Sequence, residues 1–328
     1  MKIIITGIAG MIGSYVTREL VAQGHQVVGI DNLWRGKLTY IENISGFDIS
    51  NDFYKLDLSS VKDIDAILKI FEGADCIIHL ADIVAGIGYV FNNEYSVFRQ
   101  NLLINSNVIS LASKIKVKKF LYVGTACSFP MQLQNGIDSI LDETMLFPAN
   151  PESSYGWSKL LGTLEMQYAF KDTDTKFCTF ILHNVYGRFT DCESKSSQVI
   201  PSLISKTLKL KKHDKLLVWG NGEQSRSFIH AEDVAKGIKE WVLNKQLLPD
   251  IIQIGPEKAT KISELALLIL EVCGKDNNIQ FDSTMPTGDF GRSCDFSIAK
   301  KFLKWEPNIK LKDGLKDLVE WIKNQEYY

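Results

Sequence analysis

Two residues that could exchange protons lie four positions apart in the segment "SSYGWSK". Tyr155 and Lys159 would share one face of a helix, because residues i and i+4 lie one turn apart. A lysine beside a tyrosine lowers the phenol pKa, so the phenol could take a hydroxyl proton while a hydride leaves the carbon. Thr125, after the apolar run "KKFLYV", could hydrogen-bond the reacting oxygen. The same spacing also suits a surface tyrosine and a salt-bridged lysine.

A glycine-rich segment, "TGIAGMIG", follows the first apolar run of the chain, "KIIIT". Gly7, Gly10 and Gly13 would let the backbone turn sharply and approach a pyrophosphate closely. The helix that begins there would offer free N–H groups to the phosphates. The spacing therefore predicts a dinucleotide site, although a tight strand-to-helix turn without a nucleotide would also need glycines.

Two acidic residues follow neighbouring predicted strands. Asp31 lies 18 residues after Gly13, where an acid can bind both hydroxyls of an adenosine ribose and repel a 2′-phosphate. This favours NAD over NADP. Asp57, in "KLDLSS", could receive the adenine amino group or could cap the following helix.

The elements that would position these residues alternate between strands and helices. Short β-branched runs alternate with segments of helical periodicity, which predicts an α/β fold with a doubly wound parallel sheet. Helices are expected at about Val97 to Lys114 and in "SYGWSKLLGTLEMQYAF". The regular alternation weakens after Gly187. We expect an NAD-binding domain from residues 1–183 and 228–254 and a smaller discontinuous lobe from 184–227 and 255–328.

Composition excludes several classes of function. The formal net charge is −2 over 328 residues, so there is no strong field to attract nucleic acid or a membrane surface. The six cysteines form no C-x-x-C pair, and their spacing predicts neither a metal site nor a disulfide framework. The N-terminus "MKIIITG" does not resemble a signal peptide, and no long apolar run follows. We therefore expect a soluble cytoplasmic protein.

Taken together, the motifs resemble the extended short-chain dehydrogenases/reductases of the nucleotide-sugar epimerase/dehydratase family. The resemblance extends over nearly the whole chain and is carried by "TGIAGMIGS", "GIDNL", "IHLAD", "GTACSFP", "SSYGWSK", "HNVYGR", "VWGNGEQSRSFIHAEDVAKG" and "KFLKWEP". It is strongest to the branch of the GDP-mannose 3,5-epimerases and GDP-fucose synthases. It implies a GDP-sugar substrate, an NAD cofactor and a homo-oligomer.

The resemblance also implies further site residues. Additional cofactor contacts are expected from Met11, Ile12, Asn32, Leu58, Leu80 and Ala81. Substrate contacts are expected from Asn184, Arg188, Gln198, Val199, Trp219, Arg226 and Arg292. Three of the six arginines of the chain are in this second set, and an arginine fork matches phosphate oxygens.

The residues after Thr125 restrict the reaction type. Dehydratases of the family carry an Asp–Glu pair where this chain has Ala126 and Cys127, so dehydration is not expected. Epimerising relatives use the cysteine and a second acid/base group, but that position appears as Gln198, whose amide cannot exchange a proton at neutral pH. Lys195 lies nearby and would restore the pair if the alignment slipped. Cys127 could otherwise be a packing thiol.

These observations lead to one main hypothesis and two alternatives. The main hypothesis is an NAD-dependent oxidoreductase that acts at C4 of a GDP-linked hexose or heptose, a 4-dehydrogenase or 4-ketoreductase in surface-polysaccharide precursor synthesis, with Thr125, Tyr155, Lys159 and Cys127 at the catalytic centre. The first alternative is a 3,5- or 4-epimerase. The second is a non-catalytic nucleotide-sensing protein, which would have no need of the proton-transfer pair.

Overall fold

The computed structural model describes residues 1–192 and 196–325. Its strands, in chain order, are β1 Lys2–Thr6, β2 Gln26–Asp31, β3 Phe53–Lys55, β4 Cys76–His79, β5 Lys119–Thr125, β6 Asn135–Leu141, β7 Lys176–Leu182, β8 Asn184–Tyr186, β9 Leu216–Trp219, β10 Ser225–Arg226, β11 Phe228–His230, β12 Ile251–Ile254, β13 Thr260–Lys261, β14 Ile279–Asp282 and β15 Gly291–Cys294. Its α-helices are α1 Met11–Ala22, α2 Ile49–Asp52, α3 Ile64–Phe71, α4 Ile87–Asn92, α5 Glu94–Lys114, α6 Ser154–Phe170, α7 Val199–Lys209, α8 Ala231–Leu243, α9 Ile262–Cys273, α10 Ser297–Leu303 and α11 Leu311–Lys323.

A parallel sheet of seven strands, counted within the described ranges, forms the centre of the molecule, in the order β12-β7-β5-β4-β1-β2-β3. Side chains of β1 alternate between two layers, with Ile3 and Ile5 in one core and Ile4 in the other. Helices α1, α8 and α10 cover the first face, and α3, α5 and α6 cover the second. The predicted doubly wound α/β fold is confirmed.

The strand order reverses between β1 and β4, which lie side by side and lead to opposite halves of the sheet. At such a point the loops after the two strands diverge and leave a crevice at their carboxyl ends, where open parallel sheets bind ligands. The glycine segment follows β1, and the segment from Leu80 follows β4. The topology therefore places the predicted dinucleotide loop at the mouth of a ligand crevice.

A second core lies outside this sheet, where α7, α9 and α11 pack together through residues such as Leu203, Leu265 and Leu318. A four-stranded sheet of order β13-β10-β15-β6 lies beside it. The predicted division at residues 183/184, 227/228 and 254/255 remains a prediction. Two contacts join the predicted domain and lobe. Strand β6 pairs with β15, and Ala299 and Leu303 of α10 lie in the core of the central sheet.

The apolar periodicity of "KFCTFILHNVYG" predicts one continuous strand, and the structure differs from this prediction. That run divides at His183 into β7, which pairs with β5 and β12, and β8, which pairs with β11. The His183 side chain is buried and hydrogen-bonds Gln253 through Nε2 at 2.9 Å. A periodicity argument missed this break because both halves are apolar.

In the described residues, the helices are either too short or too polar to traverse a lipid bilayer.

A buried histidine connects three elements beneath the crevice. The Thr6 hydroxyl donates to Nδ1 of His79 at 2.7 Å, and Nε2–H of His79 donates to Oδ1 of Asn105 at 2.9 Å. These partners define the neutral tautomer. Burial is the largest cause that lowers the pKa of His79, to about 3, and burial likewise lowers the pKa of His183 to about 3.

We predict that acid destabilises the protein through these histidines. Between pH 6.5 and 3 the unfolded chain binds more protons than the folded chain, so the free energy of unfolding falls as pH falls, by about 2 kcal/mol per histidine at pH 5 relative to pH 7. Urea unfolding of wild type, His79→Gln and the exposed control His213→Gln at both pH values checks this. The advantage of wild type over His79→Gln should shrink at pH 5, and equal pH dependence of the two proteins would contradict the assignment.

Candidate active site

A cleft of about 1250 Å³ runs from the glycine loop to the strands of the second core. It brings together nearly all of the residues that the sequence predicted. Those that line it are Gly7, Gly10, Met11, Ile12, Gly13, Asp31, Asn32, Asp57, Leu58, Leu80, Ala81, Thr125, Cys127, Tyr155, Lys159, Asn184, Gln198, Val199, Trp219, Arg226 and Arg292.

The glycine loop closes tightly against the segment after β4. Gly7 has φ +71°, and a Cβ there would lie 2.9 Å from the backbone nitrogen of Ala81. A Cβ at Gly13 would lie 2.3 Å from the carbonyl oxygen of Gly7. Helix α1 begins after Gly10 without a side-chain cap, so its first N–H groups are open to the cleft. Close backbone and an uncapped helix start fit the pyrophosphate of a dinucleotide.

Asp31 ends β2 at the edge of the cleft and is nearly buried. Its Oδ2 accepts from the backbone nitrogen of Ala9 at 3.0 Å and its Oδ1 from that of Leu33 at 2.8 Å. Burial raises its pKa, while these two hydrogen bonds lower it. Each carboxylate oxygen keeps a lone pair for a ribose hydroxyl, so the site fits an unphosphorylated adenosine ribose.

Asp57 has a structural role that the sequence left open. Its Oδ1 accepts from the backbone nitrogen of Ser59 at 2.8 Å and from the Ser59 hydroxyl at 2.7 Å. The residue therefore fixes the turn after β3. It also lines the cleft beside Leu58, so the turn keeps this carboxyl at the expected adenine end.

The predicted catalytic residues meet where α6 begins. Ser153 caps this helix by accepting from the backbone nitrogen of Gly156 at 3.2 Å. A Cβ at Gly156 would lie 2.2 Å from the Cys127 carbonyl oxygen, so the first turn of α6 lies directly on the turn after β5. Thr125, at the end of β5, accepts from the Cys127 backbone nitrogen at 3.2 Å and hydrogen-bonds Tyr155.

The expected lowering of the Tyr155 pKa is wrong for this arrangement. Burial raises the pKa of the phenol far above its usual value, and electrostatic repulsion from Cys127 and Asp82 adds to the rise. The hydrogen bond with Thr125 and the charge of Arg292 only partly oppose it. The phenol is therefore protonated at neutral pH.

Lys159 does not offset this rise because its charge is already paired. The side chain is 2% exposed, and its Nζ donates to the carbonyl oxygen of Val123 at 2.6 Å and to Oδ2 of Asp82. The ammonium also lies 4.9 Å from the centre of the Tyr122 ring. The lysine is thus held between β4, β5 and α6.

A second group of charges lies around Cys127. Arg292 donates from Nη2 to the Cys127 sulfur at 3.3 Å and from Nη1 to Asp289 Oδ2 at 2.7 Å. The Asp289 backbone nitrogen donates to Glu152 Oε2 at 2.9 Å. Burial and the neighbouring Asp289 raise the pKa of Glu152 to about 6, while burial and Arg292 lower the pKa of Arg226 to about 10.

The far end of the cleft combines an aromatic ring with polar groups. The Trp219 ring edge would lie 3.2 Å from a Cβ at Gly88, and Lys206 Nζ lies 5.6 Å from the ring centre. Gln198 and Val199 line the cleft at the start of α7. Among the described residues, the buried Oδ1 of Asn184 has no hydrogen-bond partner and can receive a ligand donor. Lys195, the alternative partner for Cys127, lies outside the described residues.

Arg188 is a correction to the sequence prediction. It lies outside the main cleft, in a smaller cavity beside α1 and α11. Its Nε donates to Asp317 Oδ2 at 2.8 Å, and its Nη2 donates to the other oxygen of the same carboxylate. This bidentate pair uses the fork that was expected to hold a phosphate.

Among the residues that the structure describes, six charged residues of the cleft were not identified from the sequence: Arg35, Asp82, Glu152, Asp191, Lys206 and Asp289. Two of them had a local signal, because Asp82 ends the motif "IHLAD" and Asp289 precedes Arg292 by three positions. The others reach the cleft only through the tertiary fold. Arg35, for example, donates to the carbonyl oxygen of Val84 at 2.5 Å, across the cleft from its own strand.

We predict that Gly13→Ala weakens both folding and dinucleotide binding. The new methyl group would overlap backbone atoms of Gly7 and Ile8, and such overpacking costs about 1–3 kcal/mol. Gly136→Ala is the matched control, because a Cβ there meets nothing within 4 Å. Urea unfolding and NAD titration check both variants, and equal behaviour of the two would refute the tight loop.

Comparison with known proteins agrees with this geometry. The model of the NAD dependent epimerase/dehydratase family matches residues 3–255. GDP-mannose 3,5-epimerase 1 of Oryza sativa subsp. japonica is 29% identical over 325 residues, covering 99% of this chain and 82% of that protein. GDP-L-colitose synthase of Yersinia pseudotuberculosis is 25% identical over 331 residues, covering 99% of both.

Among solved structures, UDP-glucose 4-epimerase of Thermotoga maritima superposes with a TM-score of 0.85 at 24% identity, covering 98% of this chain and 99% of that one. This likeness concerns the fold. The family match covers the glycine loop, Asp31 and the Tyr155–Lys159 pair. The protein therefore belongs to the NAD-dependent epimerase/dehydratase family of extended short-chain dehydrogenases/reductases, and NAD is its cofactor.

Proposed function

We propose that the protein is an NAD-dependent oxidoreductase acting at C4 of a GDP-linked hexose or heptose. The observation that carries this proposal is the meeting of Thr125, Tyr155 and Lys159 between two parts of one cleft. The glycine loop lies on one side of them, and the arginines Arg226 and Arg292 lie on the other. A sugar whose diphosphate is held by the arginines would present its ring to the phenol.

The residues of the chain have distinct tasks in this reaction. When bound, NAD would accept the hydride in oxidation, and NADH would supply it in ketone reduction. Thr125 hydrogen-bonds the C4 oxygen. In ketone reduction the protonated phenol of Tyr155 gives its proton to this oxygen, and in oxidation the phenolate, which forms as pH rises, takes the hydroxyl proton. Lys159, held beneath α6 by Asp82 and the carbonyl oxygen of Val123, would hydrogen-bond the cofactor ribose. Asp31 and the start of α1 would hold the dinucleotide in the same cleft as these residues.

Two arguments support a GDP-linked substrate. In the cleft Arg292 is buried and Arg226 is half-buried, and guanidinium groups held in this way suit the fixed oxygens of a diphosphate. The rice and Yersinia relatives are named for GDP-linked sugars. Within this class we favour a manno-heptose, which places the enzyme, as a 4-dehydrogenase or 4-ketoreductase, in the cytoplasmic synthesis of precursors for capsule polysaccharide.

Epimerisation is the second candidate, and the contact between Arg292 and the Cys127 sulfur favours it. This contact holds the Cys127 side chain in the cleft, where it could exchange a proton with a ring carbon of the sugar. Gln198 lines the cleft at the expected partner position, and its amide cannot complete the inversion. A nucleotide-sensing role has less support, because it would not need Tyr155 and Lys159.

We also propose a homo-oligomer. Tyr95 on α5 and Trp157 and Leu161 on α6 are exposed to 79%, 37% and 37%. These two helices pack side by side and could join a second copy through the same faces.

Replacing Tyr155 by phenylalanine tests the central assignment. The change removes the proton-transferring hydroxyl and keeps the half-buried ring, so we expect a loss of roughly 10²- to 10⁴-fold in the rate of C4 oxidation or reduction. Folding and NAD binding should be kept. The control Tyr168→Phe lies on the same helix, 72% exposed, and should match wild type. A Tyr155→Phe rate within about threefold of wild type would show that the phenol has no such task.

Isotope exchange separates the two candidate reactions. We predict that NMR of a GDP-sugar incubated with enzyme and NAD in D₂O shows a change at C4 without deuterium at C3 or C5. Cys127→Ser should keep most of the redox activity. Deuterium at C3 or C5, with new stereoisomers that disappear in Cys127→Ser, would instead establish the epimerase.

A further inference from the structure

A fully buried carboxylate lies next to the proposed proton-transfer pair. Asp82 lies in the segment after β4 and directly follows Ala81, a predicted cofactor contact. Its side chain has 0% exposure. Its Oδ2 accepts from Lys159 Nζ, which also donates to the carbonyl oxygen of Val123 at 2.6 Å. No task proposed so far requires an acid here.

Such a group is costly unless it has a partner, because removing a carboxylate from water into a protein interior is unfavourable. Burial raises the pKa of Asp82 to about 6, and the opposing effects of Lys159 and Asn105 are smaller. The positive charge of Lys159 is therefore paired with the Asp82 carboxylate and does not act on the phenol of Tyr155, one helical turn away. A lysine that only had to bind a cofactor ribose would not need this arrangement.

We propose that Asp82 is a positioning residue of the site: its carboxylate anchors the Lys159 ammonium and sets the pH range in which Tyr155 accepts a proton. The inference deepens the proposed function and rests on it. Asp82 acts through the other two residues, not on the substrate.

Several other groups share this environment and contribute to the same titration. The charged and titratable groups around Asp82, Tyr155 and Lys159 are Tyr122 of β5, His79 of β4, Cys127 after β5, Arg292 of β15 and Arg35 after β2. Of these, Cys127 acts with Asp82 to raise the pKa of Tyr155, and Arg292 lowers it. Asp82 therefore accounts for a measurable part of the shift in the Tyr155 pKa, and the other groups account for the rest.

The sign of the effect follows from the charges. In oxidation Tyr155 must lose its proton to act as a base, so the rate rises with pH below the raised pKa of the phenol. A neighbouring negative charge raises that pKa, and an opposite charge lowers it. Removing the charge of Asp82 relieves the repulsion and frees Lys159 to act on the phenol. Both changes move the rise in rate to lower pH.

The test is the pH profile of kcat for C4 oxidation in wild type, Asp82→Asn and a control. Asparagine keeps the shape and an acceptor for Lys159 but lacks the charge. We expect the profile of Asp82→Asn to move by about one unit to lower pH, which is about tenfold in rate on the rising limb. Asp172→Asn, an exposed residue just beyond α6, should follow wild type. An Asp82→Asn profile that is lowered at every pH without moving would overturn the proposal.

A second measurement needs no turnover and separates this inference from the proposed function. Because the pKa of Asp82 is raised on folding, the folded state binds the extra proton, and its stability declines as pH rises from about 4 to about 6. Asp82→Asn lacks this titration, so its unfolding midpoint in urea relative to wild type should rise across that range. A constant difference would overturn the buried anchor even if the enzyme proves inactive on GDP-sugars. If Asp82→Asn does not fold, Asp82→Ser, which leaves room for a water molecule, takes its place in both measurements.

Discussion

The close contact between the first turn of α6 and the turn after β5 determines the geometry of the whole site. Gly156 permits it, because any side chain there would overlap the Cys127 carbonyl oxygen. The contact places Tyr155 within hydrogen-bonding reach of Thr125 and points Lys159, one turn later, under the end of β5. Every chemical task proposed for the molecule depends on this approach of a helix to a strand end.

Charge balance is the second constraint, since the cleft contains more ionisable groups than it can expose to water. Lys159 is paired with Asp82, and Arg292 with Asp289. Breaking one member of such a pair is costly, because the remaining charge would be buried alone. The pairs also set the state of their neighbours, as the raised pKa values of Tyr155 and Glu152 show.

How much the sequence predicts depends on whether a feature is local. Gly7 and Gly13 are required by a turn of a few residues, and Tyr155 and Lys159 by the period of a helix, so each could be found from spacing. Strand alternation likewise predicted the sheet. The position of Arg188 was predicted wrongly because its partner, Asp317, lies on α11, more than a hundred residues away in the chain. The partner of Lys159 was missed for the same reason.

The pairing of β6 with β15 has a consequence for how a substrate would be received. Gln134, just before β6, accepts from Arg292 and donates to the Phe129 carbonyl oxygen at 3.0 Å, only a few residues after Thr125. Arg292 and the end of β5 are therefore held in fixed positions relative to each other. Their conformational entropy is lost when the chain folds, not when a ligand arrives, so more of the binding energy remains to orient the reacting carbon.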